Sequence, residues 1–94
     1  MEERINAIIE DCNKLRGEEW IEVTNFGRNK DLTLHIVKDS YYNPDVDVNE
    51  WNMVTISTKQ NEEWVDDTGS VYVTDGELCN ELERIYNYKD FETL

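Results

Sequence analysis

A β-hairpin is predicted by residues 19–37, which read EWIEVTNFGRNKDLTLHIV. Residues 19–26 are rich in β-branched and aromatic side chains, which favour strands. Residues 27–30, Gly-Arg-Asn-Lys, have the composition of a turn. Apolar and polar side chains then alternate over residues 32–37 with the period of two that is typical of a half-buried antiparallel strand. Residues 32–37 are therefore expected to pair with residues 19–26 as the second strand of the hairpin.

A helix is predicted at each end of the chain. In residues 3–16 the helical spacing of Ile5, Ile8, Ile9, Cys12 and Leu15 forms an apolar stripe, and Gly17 supplies a stop. Residues 74–77, Thr-Asp-Gly-Glu, match a capping box, which marks the start of a second helix. The apolar stripe of that helix consists of Leu78, Leu82, Ile85 and Tyr86.

Further strands are predicted between the hairpin and the second helix. Residues 51–58 favour a third strand, and residues 70–73 a last one. Residues 62–69 are interpreted as an extended arm or ragged strand closed by a turn at Gly69. The predicted fold class is α+β: a helix, an antiparallel meander of three to four strands and a helix, with both helices on one sheet face. Residues 1–94 are expected to form a single domain.

The charge balance indicates the kind of partner. The chain has 22 acidic and 9 basic residues among 94, a net charge of −13. Direct binding to nucleic acid or to an anionic membrane is disfavoured, because both carry the same sign of charge. Residues 39–83 contain twelve acids and one base, Lys59, so the excess is concentrated there. The expected partner is a basic protein.

The sequence predicts a cytoplasmic protein. Residues 1–4 lack the apolar stretch that a signal peptide needs, and no run of about 18 apolar residues follows. Cys12 and Cys79 belong to no metal or redox motif, which favours two reduced, packed thiols. A disulfide or a reactive thiol is the alternative.

No motif for catalysis or for a cofactor is found. His35 is the sole histidine and would have to serve in any Ser/His/Asp or Cys/His arrangement. Residues 45–49, Asp-Val-Asp-Val-Asn, resemble the start of an EF-hand loop, but Glu50 replaces the required glycine and Ile56 the final glutamate. No cofactor and no designed metal site are predicted, although a weak, irregular cation site stays open.

The acidic segment is interleaved with aromatic residues, a composition that is typical of binding surfaces. Its alternative is an ordinary solvated surface, but the self-repulsion of so many acids exceeds what solubility alone requires. The predicted partner-binding residues are Asp39, Tyr41, Tyr42, Asp45, Asp47, Glu50, Glu62, Glu63, Trp64, Asp66 and Asp67.

In size, acidity, α+β layout and acid-and-aromatic surface, the chain resembles the small phage-encoded inhibitors of bacterial defence, especially anti-CRISPR proteins and other DNA mimics. The resemblance implies action in the host bacterial cytoplasm on a CRISPR or related nuclease complex. The acidic face would then occupy the cationic channel in which that complex holds DNA.

Two other functions are compatible with the sequence. An immunity protein or antitoxin that neutralises a cationic toxin enzyme would need the same acidic surface. A small enzyme is the third possibility, and it is disfavoured by the absence of a nucleophile-and-base motif. The oligomeric state is not indicated.

Overall fold

The protein folds as a helix, four antiparallel strands and a second helix, which confirms the predicted α+β class. The structure is a computed structural model, and it describes residues 2–39, 53–73 and 76–87. Its elements are α1 (Glu2–Lys14), β1 (Trp20–Phe26), β2 (Leu32–Lys38), β3 (Met53–Gln60), β4 (Glu63–Tyr72) and α2 (Glu77–Asn87). Neither of these helices is long and apolar enough to cross a membrane.

The four strands form one sheet in the order β1-β2-β3-β4, with every neighbouring pair antiparallel. In the predicted hairpin, Val23 lies opposite Leu34, and the register shifts between Val23 and Phe26. The turn needs Gly27, because its φ is +92° and a Cβ there would lie 3.0 Å from the Leu32 side chain. Strands β3 and β4 are joined by two residues, Asn61 and Glu62, with positive φ of 52° and 70°, the sign that a type I′ turn requires.

The division of residues 62–73 into an arm and a separate strand was wrong. Strand β4 is continuous, and Gly69 lies inside it rather than in a turn. The pairing of β4 with β3 shifts register at two places. Lys59 lies opposite Trp64 and Thr58 opposite Asp66, so Val65 is an extra residue between them. The second shift lies near Gly69, between the pairs of Ile56 and Val54. Bulges of this kind interrupt the alternation of side chains without ending the strand.

Both helices pack on the same face of the sheet, here called the covered face. The predicted helix stripes are confirmed, since each helix buries three of its stripe residues in a single cluster with the strands. The fully buried strand residues include Leu34, Ile36, Val54 and Ile56. At the end of β1, the Phe26 ring meets the Tyr86 ring edge to face at a centroid distance of 5.5 Å.

A buried lysine joins the sheet to the first helix. Lys38, at the end of β2, is only 8% exposed, and its Nζ donates a 3.0 Å hydrogen bond to the carbonyl oxygen of Cys12. That carbonyl belongs to the last turn of α1, where a cation is favoured by the helix dipole. Burial lowers the pKa of Lys38, and burial also raises the pKa of the neighbouring Cys12 thiol, to about 11.

Candidate functional site

The candidate site is the face of the sheet opposite the two helices, here called the open face. Strand residues point alternately to the two faces, so the side chains between the core positions emerge here. Three cross-strand rows follow from the pairing. They are Trp20, Val37 and Thr55; then Glu22, His35, Ser57 and Asp67; then Thr33, Lys59 and Trp64.

Two exposed tryptophans flank the histidine at the centre of the open face. Trp20 and Trp64 are each 57% exposed, and they are the large apolar side chains that the described residues leave in solvent. The His35 ring lies 4.7 Å from the Trp20 ring in an edge-on arrangement and 6.4 Å from the Trp64 ring. Lys59 Nζ lies 4.4 Å from the centroid of the Trp64 ring, within the range of a cation–π contact.

These side chains line a shallow groove of about 150 Å³, together with Glu22 and Thr33. The carboxylates Glu22 and Asp67 stand at opposite ends of the His35 row. Three strand spacings separate them, which corresponds to roughly 14 Å. The groove is therefore lined by aromatic rings and by one charge of each sign, Glu22 and Lys59, while Asp67 lies outside it on β4.

Hydrogen bonds from neighbouring hydroxyl groups hold two of the open-face carboxylates. Asp39 accepts hydrogen bonds from Thr55 Oγ1 at 3.0 Å and from Ser70 Oγ at 2.7 Å, which ties the end of β2 to β3 and β4. Ser57 Oγ donates to Asp67 Oδ1 at 3.2 Å. These hydrogen bonds fix the orientation of the two carboxylates on the open face.

The row that contains His35, Ser57 and Asp67 has the residue types of a hydrolytic triad, but its order is different. In a triad the histidine lies between the acid and the serine, accepting the hydroxyl proton. Here Ser57 lies between the other two, and its hydroxyl group donates a hydrogen bond to Asp67. The row is arranged to hold a carboxylate, not to activate a nucleophile.

The structure divides the predicted partner-binding residues among three places. Trp64, Asp67 and Asp39 belong to the open face, and Glu62 and Glu63 are exposed at the β3–β4 turn and the start of β4. Asp66 lies on the helix side, because the bulge at Val65 places it opposite Thr58, and it pairs with Arg84 of α2 at 2.8 Å. Asp66 is thus separate from the surface around Trp64. The remaining predicted residues lie outside the described ones: Tyr41, Tyr42, Asp45, Asp47 and Glu50.

Five residues of the groove were not predicted as partner-binding residues from the sequence: Trp20, Glu22, Thr33, His35 and Lys59. A signal for the first two existed, because Trp20 and Glu22 alternate in β1 with the partly buried Ile21 and Val23. That alternation places them on the face away from the core.

Basic side chains do little to neutralise the carboxylates of the described segments. Among those residues, Arg84 alone forms ion pairs, with Asp66 and Glu81 at 2.8 Å each. Arg4 donates instead to main-chain carbonyls of β1, at 2.7 Å for Asn25. Lys38 is directed inward and Lys59 lies over an indole ring. The exposed acids therefore stay available to an external cation.

Comparison of the chain with protein-family models, with curated proteins and with solved structures finds no match. What the open face can do follows from its chemistry. Exposed indole rings supply apolar contact area to a partner, and carboxylates at the sides supply attraction for cations. The arrangement suits the binding of a basic protein surface.

Proposed function

We propose that the chain is an acidic protein-binding inhibitor that acts as a DNA mimic, blocking the cationic DNA-binding channel of a CRISPR or related defence nuclease. The observation that supports this most directly is that few of the acidic side chains form ion pairs with basic side chains. Across the described residues only Asp66 and Glu81 are ion-paired, both with Arg84, in a chain of net charge −13.

An uncompensated negative surface is suited to a channel that is lined by lysine and arginine. Such a channel steers an anionic protein as readily as it steers DNA, and it loses this ability as salt screens the charges. The carboxylates replace phosphates as partners of the basic side chains. Exposed Trp20 and Trp64 add the aromatic contact area that slows dissociation of a complex.

The test measures target-DNA binding by a panel of purified CRISPR effector complexes and restriction nucleases in a gel-shift assay. Adding the chain should abolish DNA binding by at least one of them, and adding DNA first should protect that complex. Raising the salt from about 0.05 to 0.5 M should slow association of the chain markedly, because the attraction is electrostatic.

A matched pair of charge-reversal variants locates the surface. One variant changes Glu62, Glu63 and Asp67 to lysine, and the control changes the exposed α1 residues Glu2, Glu3 and Glu10 to lysine. Both alter the net charge equally, so a site on the β4 side predicts that the first variant loses inhibition and the control loses much less. Equal losses would leave only a global charge effect.

An immunity protein would give a different result in the same panel. It would leave DNA binding by CRISPR and restriction nucleases unchanged and would block a toxin enzyme instead. Indifference of every nuclease complex to the chain would therefore overturn the DNA-mimic function and favour this alternative.

A further inference from the structure

Trp20 is an exposed ring in a fixed position. It is 57% exposed, although it lies in a strand, and the edge-on contact with His35 at 4.7 Å supports one side of it. A flat ring that is already oriented loses little conformational entropy when a partner stacks on it. Trp20 therefore presents an already oriented ring surface on which a flat or cationic group can stack.

The second tryptophan shows which chemistry the open face accepts. The ammonium group of Lys59 lies over the Trp64 ring at 4.4 Å, so one indole of the groove already holds a cation. Across the groove, Trp20 has no cation of the described residues over its ring. No described residue places a cation at the equivalent position on Trp20, so a cation of a partner can take it.

A carboxylate lies beside that position. Glu22 is exposed, lines the same groove as Trp20 and forms no ion pair with a described residue. A carboxylate next to an indole face provides both an ionic partner and a stacking surface for one cationic group. The Trp20 end of the groove therefore has the two components of a cation site.

We propose that Trp20 and Glu22 bind the guanidinium group of an arginine on the partner protein, stacked on the indole ring and hydrogen-bonded to the carboxylate. This inference rests on the proposed function insofar as the partner is basic, and it goes further by naming the side chain that the groove selects. Arginine fits better than lysine, because its planar head stacks on rings, binds carboxylates through two N–H groups and is less strongly hydrated.

Exposed aromatic rings on a sheet also bind single-stranded nucleic acid by stacking on bases. Such sites surround their rings with lysine and arginine that contact the phosphates. Here Glu22 and Asp67 stand on either side of the rings. The lysine of the groove, Lys59, lies over Trp64, whereas the charged lining residue near Trp20 is Glu22. The Trp20 end therefore favours an arginine over a nucleotide, and the nucleotide becomes an outcome of the test.

The experiment titrates the intact chain with three capped peptides: hexa-arginine, hexa-lysine and hexa-citrulline. The indole N–H signals of Trp20 and Trp64 are followed by NMR. Hexa-arginine should shift the Trp20 signal and bind about fivefold more tightly than hexa-lysine, while neutral hexa-citrulline should leave the signal unchanged.

Two matched pairs of variants test the components of the site. Glu22→Gln should weaken hexa-arginine binding about fivefold, whereas Glu10→Gln on α1, which changes the net charge equally, should weaken it less than about twofold. Lys59→Gln should strengthen binding about twofold or more by freeing the Trp64 ring, whereas Lys30→Gln on the β1–β2 turn should have a smaller effect. Weaker binding of hexa-arginine by the Lys59→Gln variant would contradict the assignment of the indole rings as cation-binding surfaces.

Trp20→Ala should abolish the preference for arginine over lysine while the chain stays folded, which the remaining NMR signals report. Equal binding of the two basic peptides by the unaltered chain, insensitive to Glu22→Gln, would overturn the guanidinium site and leave the proposed function standing. Failure of both basic peptides to bind would contradict both proposals. Binding of oligothymidylate with a shift of the Trp20 signal would also overturn both, in favour of a nucleic-acid platform.

Discussion

The two faces of the sheet use the same strands for different purposes. Ile36 and Val37 are neighbours in β2, yet Ile36 is fully buried under the helices and Val37 is only partly covered on the open face. The covered face consists mainly of apolar side chains that close packing holds in place, with Lys38 and Thr58 among its few polar members. The open face mixes indole rings, hydroxyls and carboxylates. The apolar packing that stabilises the fold is thus concentrated on one side of the sheet.

The largest difference between the two faces is expected when Ile36 and Val37 are each shortened to alanine. Ile36→Ala leaves a cavity in the core and should lower the free energy of unfolding by about 2–5 kcal/mol. Val37→Ala removes a half-exposed side chain and should cost less than about 1 kcal/mol. Urea unfolding measures both values, and similar losses would mean that the open face is packed against something in the folded chain.

A second test exploits the buried thiol of the covered face. Burial raises the pKa of Cys12 from 9.0 to about 11, so the unfolded chain loses this proton at a lower pH than the folded chain. The contribution of this thiol to stability is constant below about pH 9 and falls as the pH rises toward 11, by about 2–3 kcal/mol at 1.36 kcal/mol per pKa unit. Urea unfolding at pH 8 and pH 10.5 should reveal most of this loss.

Lys38 has the opposite effect, so the thiol contribution has to be isolated. Burial lowers the pKa of Lys38, which makes stability rise with pH in the interval below its ordinary value of 10.5. Cys12→Ala removes the thiol contribution, together with the coulombic interaction by which Cys12 raises the pKa of Lys38, and leaves the burial of the lysine in place. The variant should lose less stability between the two pH values than the unaltered chain. Parallel pH profiles would contradict the prediction.

Salt should raise the Tm, because it weakens the repulsion between surface carboxylates and leaves the apolar core in place. With net charge −13 and few ion pairs in the described segments, screening relieves repulsion in the folded chain. The Tm should rise by about 4 °C in moderate sodium chloride, equivalent to somewhat under 1 kcal/mol for a domain of this size. Differential scanning calorimetry measures it, and an unchanged Tm would indicate acids that are already matched by cations.

The smallest expected effect concerns the ion pair that ties β4 to α2. Arg84 and Asp66 are partly exposed, 41% and 25% for their side chains, so their coupling in a double-mutant cycle should be about 0.5–1 kcal/mol. Arg84→Met and Asp66→Asn provide the two single changes. The coupling should shrink in about 0.5 M salt, and a coupling above 2 kcal/mol would contradict a solvent-screened pair.

Much of the fold was predictable because its signals are local. The stripe of Ile5, Ile8 and Cys12 specified α1, and the alternation in residues 32–37 specified β2. Strand β4 was divided wrongly because the bulge at Val65 and the glycine at 69 interrupt its alternation. Whether a strand continues across a bulge depends on its partner strand, which a local pattern does not contain.

The site was predictable in composition more than in arrangement. Acid-and-aromatic content identified Trp64 and Asp67, which the structure places on the open face. Trp20 and His35 are brought beside Trp64 by the register of three strand pairs, and no segment of sequence encodes that register alone. Asp66 was grouped with Trp64 by proximity in the chain, but the bulge between them turns it to the other face.

The bulges also affect how the molecules behave toward one another at high concentration. Among the described residues no further strand pairs with β1 or β4. An unpaired strand edge exposes N–H and C=O groups that can pair with a second molecule and begin aggregation. Both outer strands, β1 and β4, depart from regular register with their inner neighbours, and β4 begins with the exposed Glu63. An uneven, charged edge is a poor template for another strand. The register shifts that made β4 hard to recognise in the sequence therefore disfavour pairing of its edge with a strand of a second molecule.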